Sequence, residues 1–145
     1  MFDNFNISAS GLTAQRLRMD VISQNIANVN TTRNDDGEPY RRKIPVFSEK
    51  QRSFNQILKN KMTEGNSKAQ GVEVDAIRED QSSLKMKYDP QHPDANENGY
   101  VAMPNVNVSS EMVDMISASR AYEANVTALE TAKDMAQQAL RISQG

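Results

Sequence analysis

The sequence predicts a mainly α fold, with long N- and C-terminal helices pairing as a coiled coil around a small irregular β-rich middle segment. Three observations carry that expectation. All five prolines lie between Pro39 and Pro104, so both ends are free of the residue that most strongly breaks helices. Apolar residues recur at 3-4 spacing at both ends, the pattern of a helix with a sticky stripe. Short runs in the middle alternate apolar and polar residues, the pattern of half-buried strands. The chain accordingly divides into residues 1–36, an N-terminal helix and assembly segment; 37–104, a short β and loop segment; and 105–145, a C-terminal assembly helix.

The first helix is expected from about Ile7 to Val29. In a heptad frame Phe5, Leu12, Met19 and Ile26 share one seam position, and Ser8, Gln15, Ile22 and Val29 the other. Leu17 and Val21 widen the stripe. Asn28, Asn30, Thr31 and Thr32 offer side chains that compete for backbone hydrogen bonds, which ends the helix.

In the middle, Tyr40–Phe47 reads as a strand in which Pro45 imposes an edge or a bulge. Ser53–Met62 reads as a short helix carrying Phe54, Ile57 and Leu58. Val72, Val74 and Ala76 alternate with Glu73 and Asp75, and Leu84, Met86 and Tyr88 alternate with lysines, both as half-buried strands. Asp89–Asp94 holds turn chemistry, and Asn98-Gly99 signals a tight turn before a last short strand at Tyr100-Val101.

The C-terminal helix is expected to start near Ser109 or Ser110, either of which can cap the free N–H groups. Glu111 and Asp114 suit the positive end of the helix dipole. Met112, Met115, Tyr122, Val126, Leu129, Ala136 and Leu140 fall on a 3-4 repeat interrupted by Ser119 and Lys133. A second face of small residues runs through Ala121, Ala124, Ala128, Ala132, Met135, Ala139 and Ile142. Such a helix is apolar on more than one side. Two helices of this kind either close into a hairpin with its own core or zip together and leave apolar surface for other subunits. The surplus favours self-assembly, with both terminal segments largely disordered in an isolated monomer, because ordering costs ~1–2 kcal/mol of backbone entropy per residue.

Composition limits what else the chain can be. Hydrophobic residues make up 37% of 145 and the mean hydropathy is -0.71, which leaves little for a self-sufficient core. The formal net charge of -2 gives no basic excess for nucleic acid or a membrane surface. Charge is uneven, however: residues 33–61 carry a net of +4 (eight Lys/Arg against four Asp/Glu) and 73–97 a net of -4 (three against seven), so two solvated faces or a contact between neighbouring copies both fit. With no cysteine there is no disulfide and no thiolate chemistry. No leader-like stretch opens the sequence and no run approaches a membrane span.

Catalytic constellations are missing. The one histidine, His92, lies between Asp89 and Asp94 in a proline-bounded turn, where a rigid surface loop is the simpler reading than a metal site or a small hydrolytic centre. Gly65 and Gly71 are too isolated for a phosphate-binding loop. Arg41-Arg42-Lys43 could touch phosphate, but alternate strand residues face opposite ways, which favours a solvated or salt-bridging strand. No catalytic residue, metal ligand, cofactor, nucleic acid or small-molecule substrate is therefore expected.

Ser8-Ala9-Ser10-Gly11-Leu12-Thr13-Ala14-Gln15-Arg16, followed by Asn25-Ile26-Ala27-Asn28-Val29-Asn30-Thr31-Thr32, resembles the opening signature of the flagellar rod and hook protein family: an S-G-L-type start and a helix ending in an A-N-x-x-T-type motif. Gly99-Tyr100-Val101-Ala102-Met103-Pro104-Asn105-Val106-Asn107-Val108, then Glu111–Met115 and Ser119–Asn125, resembles the proximal-rod branch of that family. Pro39–Lys43, Gly71–Val74 and Tyr88-Asp89-Pro90 fit its short central segment, and the shortness argues against the distal rod and hook members. One departure stands out: family members place a glycine soon after the A-N-x-x-T motif, whereas here Arg33 follows Thr32 and the next glycine is Gly37, which implies a longer or differently turned loop.

The resemblance implies a structural subunit of the bacterial flagellar basal body. It implies export through the flagellum's own type III apparatus without a cleaved signal peptide, and assembly with other rod proteins and its own copies into a tube crossing the cell envelope. Leu12, Met19, Ile22, Ile26, Val29, Met112, Met115, Tyr122, Val126, Leu129 and Leu140 would form the assembly seam. Asn25, Asn28, Arg120 and Asn125 would set register and partner choice; their plainer roles are helix-end caps for the first two and an ion pair with Glu123 for Arg120. The competing reading is a soluble helical adaptor or secretion chaperone that binds one partner.

Overall fold

A computed structural model describes residues 2–50 and 71–143, with side chains for 5–50 and 71–142. Among the described residues two helices frame two small antiparallel sheets. Helix α1 spans Phe2–Ala27 and helix α2 spans Val108–Ser143; between them lie strands β1 (Lys43–Glu49), β2 (Val72–Glu79), β3 (Lys85–Tyr88) and β4 (Tyr100–Met103). The mainly α fold with a β-containing middle follows the sequence expectation. The expected helix over Ser53–Met62 lies outside the described residues.

The ends of α1 obey the local chemistry. Asn28 Nδ2 donates to Gln24 O at 2.9 Å and Thr31 Oγ1 donates to Asn28 Oδ1 at 3.1 Å, so polar side chains take over where the helical ladder stops. The loop that follows turns at Asn34, whose backbone N–H donates to Glu38 O and whose Oδ1 accepts from the Asp36 and Glu38 N–H groups. Gly37 sits at φ +82° within that turn, a conformation that glycine adopts without a Cβ penalty. Tyr40 N–H then donates to Thr31 O and brings the chain back to the helix end.

Strand β1 pairs with β2 with a register shift between Val46 and Phe47, next to Pro45, as expected where a proline withholds its ladder donor. Val72, Val74 and Ala76 are half-buried while Glu73 and Asp75 are exposed, the alternation read from the sequence. The β3–β4 pair departs from it. Met86 and Tyr88 are 56% and 65% exposed rather than half-buried, because no other described helix or strand packs on this two-stranded sheet. Tyr88 instead meets Tyr100 edge-on, ring centroids 5.2 Å apart.

Helix α2 starts one or two residues before the expected point, and its cap is Asn107 rather than Ser109 or Ser110. Asn107 Oδ1 accepts from the N–H groups of Ser109 (3.1 Å) and Ser110 (3.4 Å), and its carbonyl accepts the first helical bond from Glu111. At 36 residues α2 is about 54 Å long, against 26 residues for α1. The core is small: Ala14, Val21, Ile22, Val101, Pro104, Val106, Ala118 and Ala132 are the buried apolar side chains among the described residues. Within the folded chain it gives α1 burial at Ala14, Val21 and Ile22.

Candidate assembly interface

The two terminal helices run antiparallel, since Asn25 meets Glu111, Arg18 meets Asp114 and Gly11 meets Asn125. The line of contact has seven-residue spacing on both sides: Gly11, Arg18 and Asn25 on α1, and Glu111, Ala118, Asn125 and Ala132 on α2. Its residues are small or polar. A Cβ on Gly11 would lie 2.9 Å from Asn125 Oδ1, so the absence of a side chain there lets Asn125 sit against the α1 backbone. Asn125 Nδ2 meanwhile donates to Ala121 O at 2.8 Å.

Ser10 extends the same motif sideways. Its hydroxyl donates to Ile7 O at 2.6 Å and accepts the Val72 N–H at 3.1 Å, tying the start of β2 to α1. Gly71, at φ +92°, passes directly over Ser10, where any side chain would collide. The Ser10-Gly11 pair thus has a physical task on each side: Ser10 anchors the middle segment and Gly11 admits α2.

At the other end of the line lies a buried polar lock. Asn25 is 1% exposed, and its amide behaves like one more residue of a strand. Its Nδ2 donates to Lys43 O (2.9 Å) and Glu111 Oε2 (3.0 Å), while its Oδ1 accepts from Lys43 N–H (2.9 Å) and the Tyr40 hydroxyl (2.9 Å). Glu111, wholly buried, takes a 2.6 Å ion pair from Arg42 Nε on its other oxygen. Asp114 is shared by Arg42 (3.3 Å) and Arg18 (3.2 Å). Asn105 completes the joint: its Oδ1 accepts the Arg42 N–H at 2.8 Å, and its Nδ2 donates to Asp80 O and Ser82 Oγ. A buried ion pair is tolerable only with its remaining lone pairs filled, and here both Glu111 oxygens are. Burial and the nearby carboxylates of Glu111 and Glu79 hold the Tyr40 phenol above its usual range.

The expected seam residues fall into two groups. Ile22 is buried, and Leu12, Met19, Ile26, Val29, Met115, Tyr122, Val126 and Leu129 are half-buried. Met112 and Leu140 are 54% and 63% exposed, so neither holds α1 to α2 within the chain. The intrachain line on α1 runs one residue before the expected stripe: 11, 18 and 25 rather than 12, 19 and 26. Among the expected polar positions, Asn25 is the centre of the lock, Asn28 closes the end of α1, Asn125 faces Gly11 and Arg120 is exposed. Arg42, Glu111, Asp114, Arg18 and Asn105 were not among them. The available signal was a basic run (Arg41-Arg42-Lys43) leading into β1, in a chain whose charged residues at the start of α2, Glu111 and Asp114, are acidic.

The His92 turn is structural. His92 Nδ1 accepts the Asp94 N–H at 3.1 Å, and the Asp94 carboxylate accepts from Thr32 Oγ1 at 2.8 Å, with Arg33 at 3.8 Å. Among the described residues no group of three or more carboxylate or imidazole side chains is placed to hold a metal ion, and no helix is long and apolar enough to cross a membrane.

Both halves of this interface match known flagellar families. Residues 5–33 match the family described as flagella basal body rod protein, and residues 97–142 the one described as flagellar basal body rod FlgEFG protein C-terminal. Along its whole length the chain is 51% identical to the flagellar basal-body rod protein FlgC of Borreliella burgdorferi (strain B31), with 100% of this chain and 99% of that protein covered. The chain belongs to the FlgC family of flagellar basal-body rod proteins. The FlgC proteins of Bacillus subtilis (strain 168; 49% identity, 97% of each chain) and Salmonella typhimurium (strain LT2; 39% identity, 97% of this chain and 96% of that one) extend the match across distant bacteria. As a family member the chain is a structural rod subunit of the flagellar basal body. The family matches end on the two helices that meet in the seam, and the residues of the polar lock lie within or between them.

Proposed function

We propose that this subunit polymerises through its two terminal helices, paired as a coiled coil, with its own copies and with other rod proteins in a helical tube that forms the proximal part of the drive shaft. The observation that carries this reading is the apolar surface left on α2, including Met112 and Leu140, in a chain whose whole length matches rod proteins. An apolar surface of this kind marks an interaction site. A contact between unlike surfaces does not end at a two-fold dimer, and where its rotation does not close a ring it extends into a helical tube. The half-buried seam residues Leu12, Met19, Ile26, Val29, Met115, Tyr122, Val126 and Leu129 would complete their burial against neighbours, and Asn28, Arg120 and Asn125 would contribute to register. The division at residues 36 and 104 fits this role, with an outward-facing middle carried on an assembly core. Export through the flagellar type III apparatus, without a cleaved leader, is part of the same reading.

A deletion of residues 135–143 tests it, because this stretch lies beyond the lock and the α1 contact. The expected result is a folded protein that is absent from purified basal bodies, with motility lost. Unchanged motility with the truncated chain in basal bodies would contradict the reading. An intact chain found only in a soluble cytoplasmic complex would favour an adaptor instead.

A further inference from the structure

The turn that leads into β4 is built on a chemically labile pair. Asparagine is a thermolabile side chain, and it loses its amide most readily when glycine follows, because no Cβ then shields the attacking backbone nitrogen. Asn98-Gly99 is the one such pair in the sequence. The fold demands its glycine: Gly99 is at φ +76°, and a Cβ there would lie 3.0 Å from Tyr88 Cε2 and 3.1 Å from Pro90 Cβ. Asn98 is exposed, and among the described residues it is held through its backbone N–H alone, which donates to Asn96 Oδ1 at 3.0 Å.

The nitrogen that would attack is restrained. Gly99 is buried, and its N–H donates to Asn96 O at 2.9 Å. On its far side Asp89 N–H donates to Gly99 O at 2.9 Å, and Tyr100 N–H donates to Asn96 Oδ1 at 2.9 Å. Attack would have to break the Gly99–Asn96 bond and swing a buried nitrogen onto Asn98 Cγ.

We propose that Asn98 is a deamidation site that the folded turn holds back: a chain left unfolded is converted to isoaspartate there, and the converted chain no longer closes the β3–β4 hairpin. In the first step Gly99 N bonds to Asn98 Cγ while the Cγ–Nδ2 bond breaks. Nδ2 leaves as ammonia with the Gly99 amide proton, and a cyclic imide remains. Water then opens the ring. Opening at Cγ gives aspartate; opening at the Asn98 backbone carbonyl carbon gives isoaspartate, with the main chain routed through Cγ. Nothing is oxidised or reduced. Isoaspartate lengthens the main chain by one carbon between Asn98 Cα and Gly99 N. The Gly99 and Tyr100 N–H groups then fall out of step with Asn96, as does Tyr100 O, which accepts the Asn96 N–H at 2.9 Å. The proposal goes beyond the assembly reading and does not depend on it, since it concerns the chain before it folds.

The full-length chain is incubated in one mildly alkaline buffer at one temperature, either folded or unfolded in guanidinium chloride. Aliquots are digested with trypsin, which releases Tyr88–Arg120, and fragmentation locates the amide-to-acid mass gain. Isoaspartate is measured by its methylation with a protein-isoaspartate methyltransferase. Asn98 is expected to convert before every other asparagine of the unfolded chain. In the folded chain it is expected to convert at least about tenfold more slowly, because the reaction waits on local opening. Asn98→Asp carries the new charge without the extra carbon and should refold with slow exchange at the Gly99 and Tyr100 amides; the isoaspartate chain should refold without it. An Asn98 that stays intact in the unfolded chain overturns the site, and equal conversion in the two states overturns the protection. Slow exchange regained by the isoaspartate chain, or lost equally in Asn98→Asp, overturns the role of the added carbon.

Discussion

The start of α2 and its last nine residues belong to one unbroken helix yet meet opposite surroundings. Around Glu111 a carboxylate is wholly buried and every oxygen is paired; around Leu140 and Ile142 large apolar side chains face water. Burial normally runs the other way. The inversion is intelligible if the Glu111 face joins the chain to itself while the tail, like the opposite face of the first turns with its exposed Met112, joins it to others. Polar pairs give the internal joint one geometry, since Asn25, Arg42 and Glu111 are satisfied together or not at all. Apolar ends give the outer contact adhesion that no single chain uses up.

The largest expected effect breaks the internal side. Arg42→Ala leaves Glu111 buried with its ion pair gone and should cost about 3–5 kcal/mol, read from urea unfolding of the monomer. Leu140→Asp in the same assay should change stability by less than about 0.5 kcal/mol, because the site is exposed. Equal losses from the two would erase the contrast. Next comes Gly11→Ala, whose methyl would crowd Asn125 and should destabilise by about 1–3 kcal/mol. Adding Asn125→Ala should recover part of that loss, so a double-mutant cycle with no coupling would mean that the helices do not meet there. Asn107→Ala removes the cap of α2 and should cost about 1 kcal/mol.

The smallest effect is a pH dependence. The fold holds the Tyr40 proton above the ordinary value of 10.0. Below that pH both folded and unfolded chains keep the proton; above it the unfolded chain ionises first, so stability falls as pH rises past 10. Tyr40→Phe should flatten the fall, measured as the unfolding midpoint between neutral and alkaline pH.

Periodicity and punctuation made the two helices legible; alternation located β2 and β3, the Asn98-Gly99 turn signal located β4, and the strand read at Tyr40–Phe47 begins at Lys43. The seam was harder to read because a hydrophobic pattern weighs large side chains. Leu12, Met19 and Ile26 mark the stripe, but the helices touch along Gly11, Arg18 and Asn25, where small or paired polar groups allow close approach. Met86 and Tyr88 alternate as a buried strand would, yet alternation does not report whether a second layer exists. The cap is Asn107 and not Ser109 or Ser110 because three polar residues within four positions can each perform that task, and only the turn geometry selects one. The Arg42–Glu111 pair joins residues 69 positions apart, a distance over which local pattern carries no information.

Amide hydrogen exchange on the dilute monomer and on purified basal bodies tests the division most directly. In the monomer, slow exchange is expected over residues 14–27 and 111–125, with fast exchange over 135–143. In basal bodies the 135–143 stretch should become protected as well. Equal protection of α2 through Ser143 in the dilute monomer, or a tail still unprotected after assembly, would contradict the account.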